Sequence, residues 1–178
     1  FSKRGYECPK LKSFGCSYIT YNQLNFLVSK FPNLADIELS HCGVFDLSPL
    51  GTLKDLRKLS LRSLKFGQIQ DLISEIGNQL ISLELRHIQS MDVRFIGEHC
   101  SSLRYFHLFS YGVLQPPMDD FNREILPGFK SVVSLQFDCD WRRDWIDYIL
   151  SQCLSVKKVD VTAHRSDTYL LLKHVLIR

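Results

Sequence analysis

The chain has 178 residues, 45% hydrophobic and 23% charged, which suits one folded domain and leaves out a disordered chain. Its formal charge is +3 and no run of Lys or Arg exceeds two, so the concentrated basic footprint of a nucleic-acid binder is missing. No apolar run approaches the roughly 20 residues that span a bilayer, no secretory signal opens the chain, and no Asn-x-Ser/Thr sequon occurs.

Self-similarity is the dominant signal along the chain. The pattern L-x-x-L-x-L starts at Leu11, Leu34, Leu56, Leu80, Leu103, Val132 and Val156, at intervals of 23, 22, 24, 23, 29 and 24 residues. Three residues on stand Phe14, Ile37, Leu59, Leu83, Phe106, Leu135 and Val159. Five on stand Cys16, Leu39, Leu61, Leu85, Leu108, Phe137 and Val161. Apolar residues alternating in this way predict seven short strands, each with one buried face. Residues 1–178 are read as a single domain of about seven units, expected to be a piece of a longer chain since it starts at Phe1 rather than Met.

Taken in order, Cys8-Pro9-Lys10 reads as the tail of an earlier unit. Phe45–Gly51 contains Pro49 and Gly51, so the connection after the second strand is expected to be a turn or a single helical turn. Ile69, Leu72, Ile73 and Ile76 form an apolar stripe at helical spacing. Val93, Ile96 and Cys100 repeat it, as do Ile146, Ile149, Leu150 and Cys153. Gly112–Phe129, with Pro116-Pro117 and Pro127-Gly128, lengthens the fifth unit and is expected to bulge as a tolerated loop. Trp145 is expected to begin the next helix and pack inward, with Trp141 at the rim. Tyr169–Ile177 reads as a last helix.

Cysteines follow the same register. Cys8, Cys100 and Cys153 each stand three residues before a unit start, at the end of the preceding helix, a slot filled elsewhere by Phe31, Leu53, Gly77 and Phe129. Cys16 and Cys42 also fall on core positions, and Cys139 faces away. Buried, unpaired thiols behave as small hydrophobes and suit a reducing compartment, cytoplasmic or nuclear. The pairs His41-Cys42 and His99-Cys100 resemble fragments of a metal site, yet no C-x-x-C occurs and strand neighbours point to opposite faces. No metal or cofactor is expected.

With these residues in place, the chain resembles the leucine-rich-repeat family and, more narrowly, its cysteine-containing subtype. Phe95–Leu108, reading FIGEHCSSLRYFHL, carries the resemblance most closely, with Cys153–Val161 and Cys8–Leu11 as further instances. The resemblance implies an α/β solenoid of horseshoe form, with parallel strands on the concave side and short helices or turns on the convex side. It also implies a place behind an F-box in a substrate receptor of a Skp–cullin–F-box ubiquitin ligase. Two departures stand beside it. The position eight residues after each start holds Ile19, Cys42, Leu64, Ile88, Tyr111, Asp140 and His164 rather than a run of Asn, and no F-box lies in these residues.

In such a solenoid the non-core strand residues line the binding face. Candidates for contacting a protein partner are Glu38, His41, Arg62, Glu84, Arg86, His87, Tyr105, His107, Phe109 and Asp138. Arg62, Arg86, Tyr105, His107 and Phe109 are placed at its centre, because rings and guanidiniums anchor interfaces and Phe109 has no core to serve there. The bland reading is that Glu84–Arg62 and Glu38–Arg62 pairs neutralise each other across strands.

Catalysis is not expected. Gly51-Thr52-Leu53-Lys54 lacks the second Gly of a phosphate loop, no G-x-S-x-G occurs, and a regular sheet gives a triad no sheltered spot. His41, His87 and His107 are candidates to neighbour one another across strands. The expected partner is a protein on the concave face, with no nucleic acid and no membrane, and a Skp-type adaptor only where an F-box lies outside this chain. The alternative is a general intracellular scaffold or regulator without a ubiquitin link. An extracellular receptor ectodomain fits poorly with core Cys and no sequon.

Overall fold

The structure, a computed structural model, describes residues 10–41, 46–109, 125–138 and 143–162. It is an α/β arrangement with one seven-stranded sheet in the order β1 to β7, every pairing parallel. The strands are β1 (Ser13–Ser17), β2 (Asp36–Ser40), β3 (Lys58–Arg62), β4 (Ser82–Arg86), β5 (Tyr105–Phe109), β6 (Ser134–Asp138) and β7 (Lys158–Thr162). Helices α1 (Tyr21–Lys30), α2 (Phe66–Ile76), α3 (Val93–His99), α4 (Pro127–Lys130) and α5 (Arg143–Gln152) alternate with them.

The pairing register matches the sequence repeat residue for residue. Phe14 stands opposite Ile37, then Leu59, Leu83, Phe106, Leu135 and Val159 in one unbroken row. The interior rows are buried: Leu34, Ile37, Leu39, Leu80, Leu83, Leu103, Phe106, Leu135 and Phe137 are closed to solvent. Leu11, Phe14, Cys16, Val156 and Val159 are only half-buried, because among the described residues their units have a neighbour on one side.

Each helix exists because its apolar stripe closes over that row. In α1, Leu24, Leu27 and Val28 are buried, and Thr20 starts the helix through a capping box with Gln23. In α2, Phe66, Ile69, Leu72, Ile73 and Ile76 face inward, and in α3 Val93 and Ile96 do so behind an Asp92 N-cap that accepts from the Phe95 amide at 3.0 Å. After β2 the described part of the connection holds a 3-10 turn, Ser48–Thr52, as Pro49 and Gly51 predict. The expected loop at Gly112–Phe129 needs one correction. Its end, Pro127–Phe129, lies in α4, with Phe129 fully buried against Phe106, because a helical turn here returns the chain to the core slot that Cys100 fills one unit earlier. Residues 112–124 of that stretch lie outside the described residues, as do Cys8, Cys42, Cys139, Trp141, Tyr169–Ile177 and the side chain of Trp145.

The helix-end slot has a backbone role as well. The carbonyls of Phe31, Leu53, Gly77, Cys100 and Phe129 each accept the amide three residues on, at 3.1–3.3 Å, and so bend the chain into the next strand. At that bend one carbonyl of the preceding unit accepts two successive amides. Lys12 accepts from Ala35 and Asp36, and Ile81 from Arg104 and Tyr105. Polar side chains stitch the units on the helix side. Gln79 donates to the Leu53 carbonyl at 2.8 Å, and the buried Gln152 accepts from the Leu126 amide at 2.9 Å. Both Gln stand at positions that the repeat pattern did not mark.

Candidate functional site: the solvent face of the sheet

Alternation puts the intervening strand residues on the other face, which no helix among the described residues covers along β1 to β5. The candidates divide into those that touch one another and those that stand apart. Glu84, Arg86, His107 and Phe109 form one contact network on β4 and β5. Arg86 Nε donates to Glu84 Oε1 on its own strand. The same guanidinium lies over the Phe109 ring, 4.4 Å from its centroid, as in a cation–π contact. His107 stands edge-on to Phe109 at 6.4 Å, and its Nδ1 is 3.8 Å from Glu84 Oε2.

Electrostatics follow from that packing. His107 and Arg86 hold the Glu84 carboxyl down to about 2, against a partial burial that pushes the other way. At 3.8 Å the imidazole is the looser of the two contacts, and the Arg86 contact is the hydrogen bond that fixes the carboxylate. Arg86 keeps 42% of its side chain exposed, so the network is fixed yet reachable. Cross-strand neutralisation of Arg62 does not occur in the expected form. Glu84 is taken by Arg86 and His107, because residues two apart on a strand share a face and the long Arg side chain folds back along it. Glu38 and Arg62 make no ion pair among the described residues, and the Glu38 carboxylate leans over Gly15 on β1 instead.

The other candidates are spread along the sheet. Tyr105 is exposed and sits between Ser82 and Ser134 in the register. His41 stacks on Tyr18 at 5.3 Å. His41 and His107 are therefore apart: His41 stacks on β1's Tyr18, whereas His107 faces Glu84. Asp138 ends β6, and its side chain lies outside the described residues.

One feature of the rim was not anticipated. The residue after each of the first four strands, Tyr18, His41, Ser63 and His87, has φ between 51° and 62°. That left-handed region disfavours side chains. The amides of Tyr18, His41 and Ser63 donate to Ser40, Arg62 and Arg86 at 2.9–3.1 Å, and the His87 amide donates to Phe109, each extending the strand ladder by one bond. The ladder holds the strain, and it places a side chain at the rim of each strand. Tyr18, 73% exposed, belongs to this row and was missed as a candidate. Its position seven residues after Leu11, in step with His41 and His87, was the available signal.

Cys100 and Cys153 are buried and unpaired, and burial pushes both thiols up to about 12. His99 stacks on Phe95 and bonds its carbonyl, apart from the Cys100 core slot. Among the described residues no group of three His, Cys, Asp or Glu is placed to hold a metal ion, and no helix is long and apolar enough to cross a membrane. The sequence matches no protein-family model and no curated protein.

Proposed function

We propose that this chain is a protein–protein interaction module, a leucine-rich-repeat solenoid whose strand face binds a protein partner. The observation that supports it is the Glu84–Arg86–Phe109–His107 network, where a guanidinium and an aromatic ring are held in place before any partner arrives. Ordering these side chains beforehand reduces the rotamer entropy lost on binding, and Arg and aromatic residues are common hot spots. A solvated face has no structural need for Phe109. The unit spacing, the parallel sheet in sequence order and the Cys slot support the repeat reading.

The more specific reading is the substrate-recognition repeat region of an F-box type ubiquitin-ligase receptor, cytoplasmic or nuclear, without catalysis or cofactor of its own. It rests on the resemblance around Cys100 and Cys153, and it requires an F-box elsewhere in the full protein and a Skp-type adaptor bound through it. The second reading is a general intracellular scaffold with no ubiquitin link. Affinity capture with the full-length protein tests both. Substituting Phe109→Ala with Arg86→Ala is expected to abolish recovery of the face-bound partner while leaving any Skp-type adaptor in place. Unchanged recovery with an intact fold sinks the face, and absence of the adaptor favours the scaffold.

A further inference from the structure

Folding lines up cations that lie far apart in the sequence, along the edge where the strands begin. One backbone row runs across all seven units through Lys12, Ala35, Arg57, Ile81, Arg104, Val133 and Lys157, each amide donating to the carbonyl of the residue before it in the row at 2.8–2.9 Å. Cation and apolar residue alternate along it without a break. Charge therefore recurs at every second strand, about 10 Å apart at a strand spacing of about 4.8 Å. Lys12, Arg104 and Lys157 are exposed, Arg57 is half-buried, and Ile81 keeps 37% of its surface open between two cations. Arg104 and Lys157 are in no ion pair among the described residues. Arg57 donates to the Lys54 and Leu56 carbonyls at 2.8 and 3.2 Å, which fixes its side chain at the bend without a carboxylate to offset its charge. Lys12 lies 4.0 Å from Asp55 with more than half of each side chain in water, a contact worth little. Lys10, Lys58 and Lys130 add exposed cations at the same bends, whose described carboxylates are Asp36 and Asp55.

We infer that this edge, a surface separate from the solvent face of the sheet, binds a protein segment in the polyproline II conformation with an acidic residue at every third position. A polyproline II helix has three residues per turn and rises about 3.1 Å per residue, so every third side chain returns to one side after about 9.3 Å. That pitch matches the spacing of Lys12, Arg57, Arg104 and Lys157. A β-strand returns to the same side every second residue, at about 6.7 Å, and falls out of step with them. An α-helix returns at three or four residues, within about 6 Å, and does so too. Ala35, Ile81 and Val133 fill the gaps and give the residues between the acids apolar contact. A phosphodiester backbone or a sheet of lipid headgroups carries its charge continuously, has no use for apolar gaps, and is repelled by Asp36 and Asp55. Separated carboxylates avoid both. The cations are exposed, so the contacts weaken with salt.

The test uses a fluorescein-labelled peptide repeating Glu-Pro-Ala over about twelve residues, long enough to pass the four cations of the row. It is compared with its Gln counterpart, with a peptide of the same composition whose Glu are consecutive, with a single-stranded oligonucleotide and with phosphatidylserine vesicles. Binding to the full chain is read by fluorescence polarisation, and by co-sedimentation for the vesicles. The repeating Glu peptide is expected to bind best, and more weakly as salt rises. Arg104→Gln is expected to weaken it by about fivefold, the scale of one exposed charged contact, and Arg104→Gln with Lys157→Gln by about twentyfold. Both side chains are exposed and their replacement leaves the backbone row intact, so the variants are expected to fold, which circular dichroism verifies. Arg62→Gln, at the other end of the strands, and Phe109→Ala with Arg86→Ala on the strand face are expected to leave the peptide bound, so the edge and the strand face fail separately. Equal binding of the Gln peptide or of the consecutive-Glu peptide, tighter binding of the oligonucleotide or the vesicles, or indifference to Arg104→Gln each overturns the inference.

Discussion

Glu84 shows what one residue gains from its neighbours. Its carboxyl has an ordinary value of 4.5 and is held at about 2 by His107 and Arg86. The folded value lies below the unfolded one, so the ionised group contributes stability that is fully present above about pH 4.5. That contribution is lost as the pH falls towards 2. Urea unfolding at a series of pH values is expected to show a constant gap between the wild type and Glu84→Gln above pH 5 and a shrinking gap between about 4.5 and 2. A gap that does not change with pH would mean that the carboxylate is not held by its neighbours. At this scale the sequence reading placed Glu84, Arg86, His107 and Phe109 on one face, because alternation along a strand is local. It did not foresee that Glu84 turns to Arg86 and leaves Arg62 open. Rotamer choice depends on the neighbouring strand and on the ring of Phe109, and a linear pattern carries no such information.

At the scale of elements, the helices differ in how closely they approach. Gly97 in α3 and Gly128 in α4 lie where their elements meet. A Cβ on Gly128 would stand 2.8 Å from the Gly97 carbonyl oxygen and 2.9 Å from that of Cys100. Both are backbone atoms and cannot swing aside. Gly128→Ala is therefore expected to cost about 1–3 kcal/mol as overpacking. Gly67, in the first turn of α2, has nothing within 4 Å of its Cβ position, and Gly67→Ala is expected to stabilise by roughly 0.5–1 kcal/mol through helix propensity. Thermal melts of the two variants should move in opposite directions, and a shared direction would refute the packing account. The stripes that form α2, α3 and the later part of α5 were readable as 3.6-residue periods. The helical turn at Pro127–Lys130 was read as the end of a loop, because a Pro-Gly pair reads locally as a break, although the repeat register had already put Phe129 in the helix-end core slot.

Across the whole molecule, strands follow one another in sheet order, so each unit buries its row against the units before and after it. The energetic consequence is graded along the chain. Leu80 and Leu11 hold the same position in their units, but Leu80 is fully buried and Leu11 only partly. Leu80→Ala is expected to cost about 2–5 kcal/mol, the range for an emptied core site. Leu11→Ala is expected to cost about 1–2 kcal/mol, because less apolar surface is returned to water. Equal shifts in the urea midpoint would contradict a sheet stabilised by nearest neighbours.

By itself, the sequence determined the seven strands, their like positions and the core slots for Cys100 and Cys153, all of which follow from local periodicity, while the parallel arrangement was only what the family resemblance implied. The tertiary structure decided the rest: the left-handed rim of Tyr18, His41, Ser63 and His87, the Gln79 and Gln152 stitches, and the division of the face into a paired Arg86 and an open Arg62. Each of these depends on which atoms of adjacent units meet, and that is settled only when the strands lie side by side.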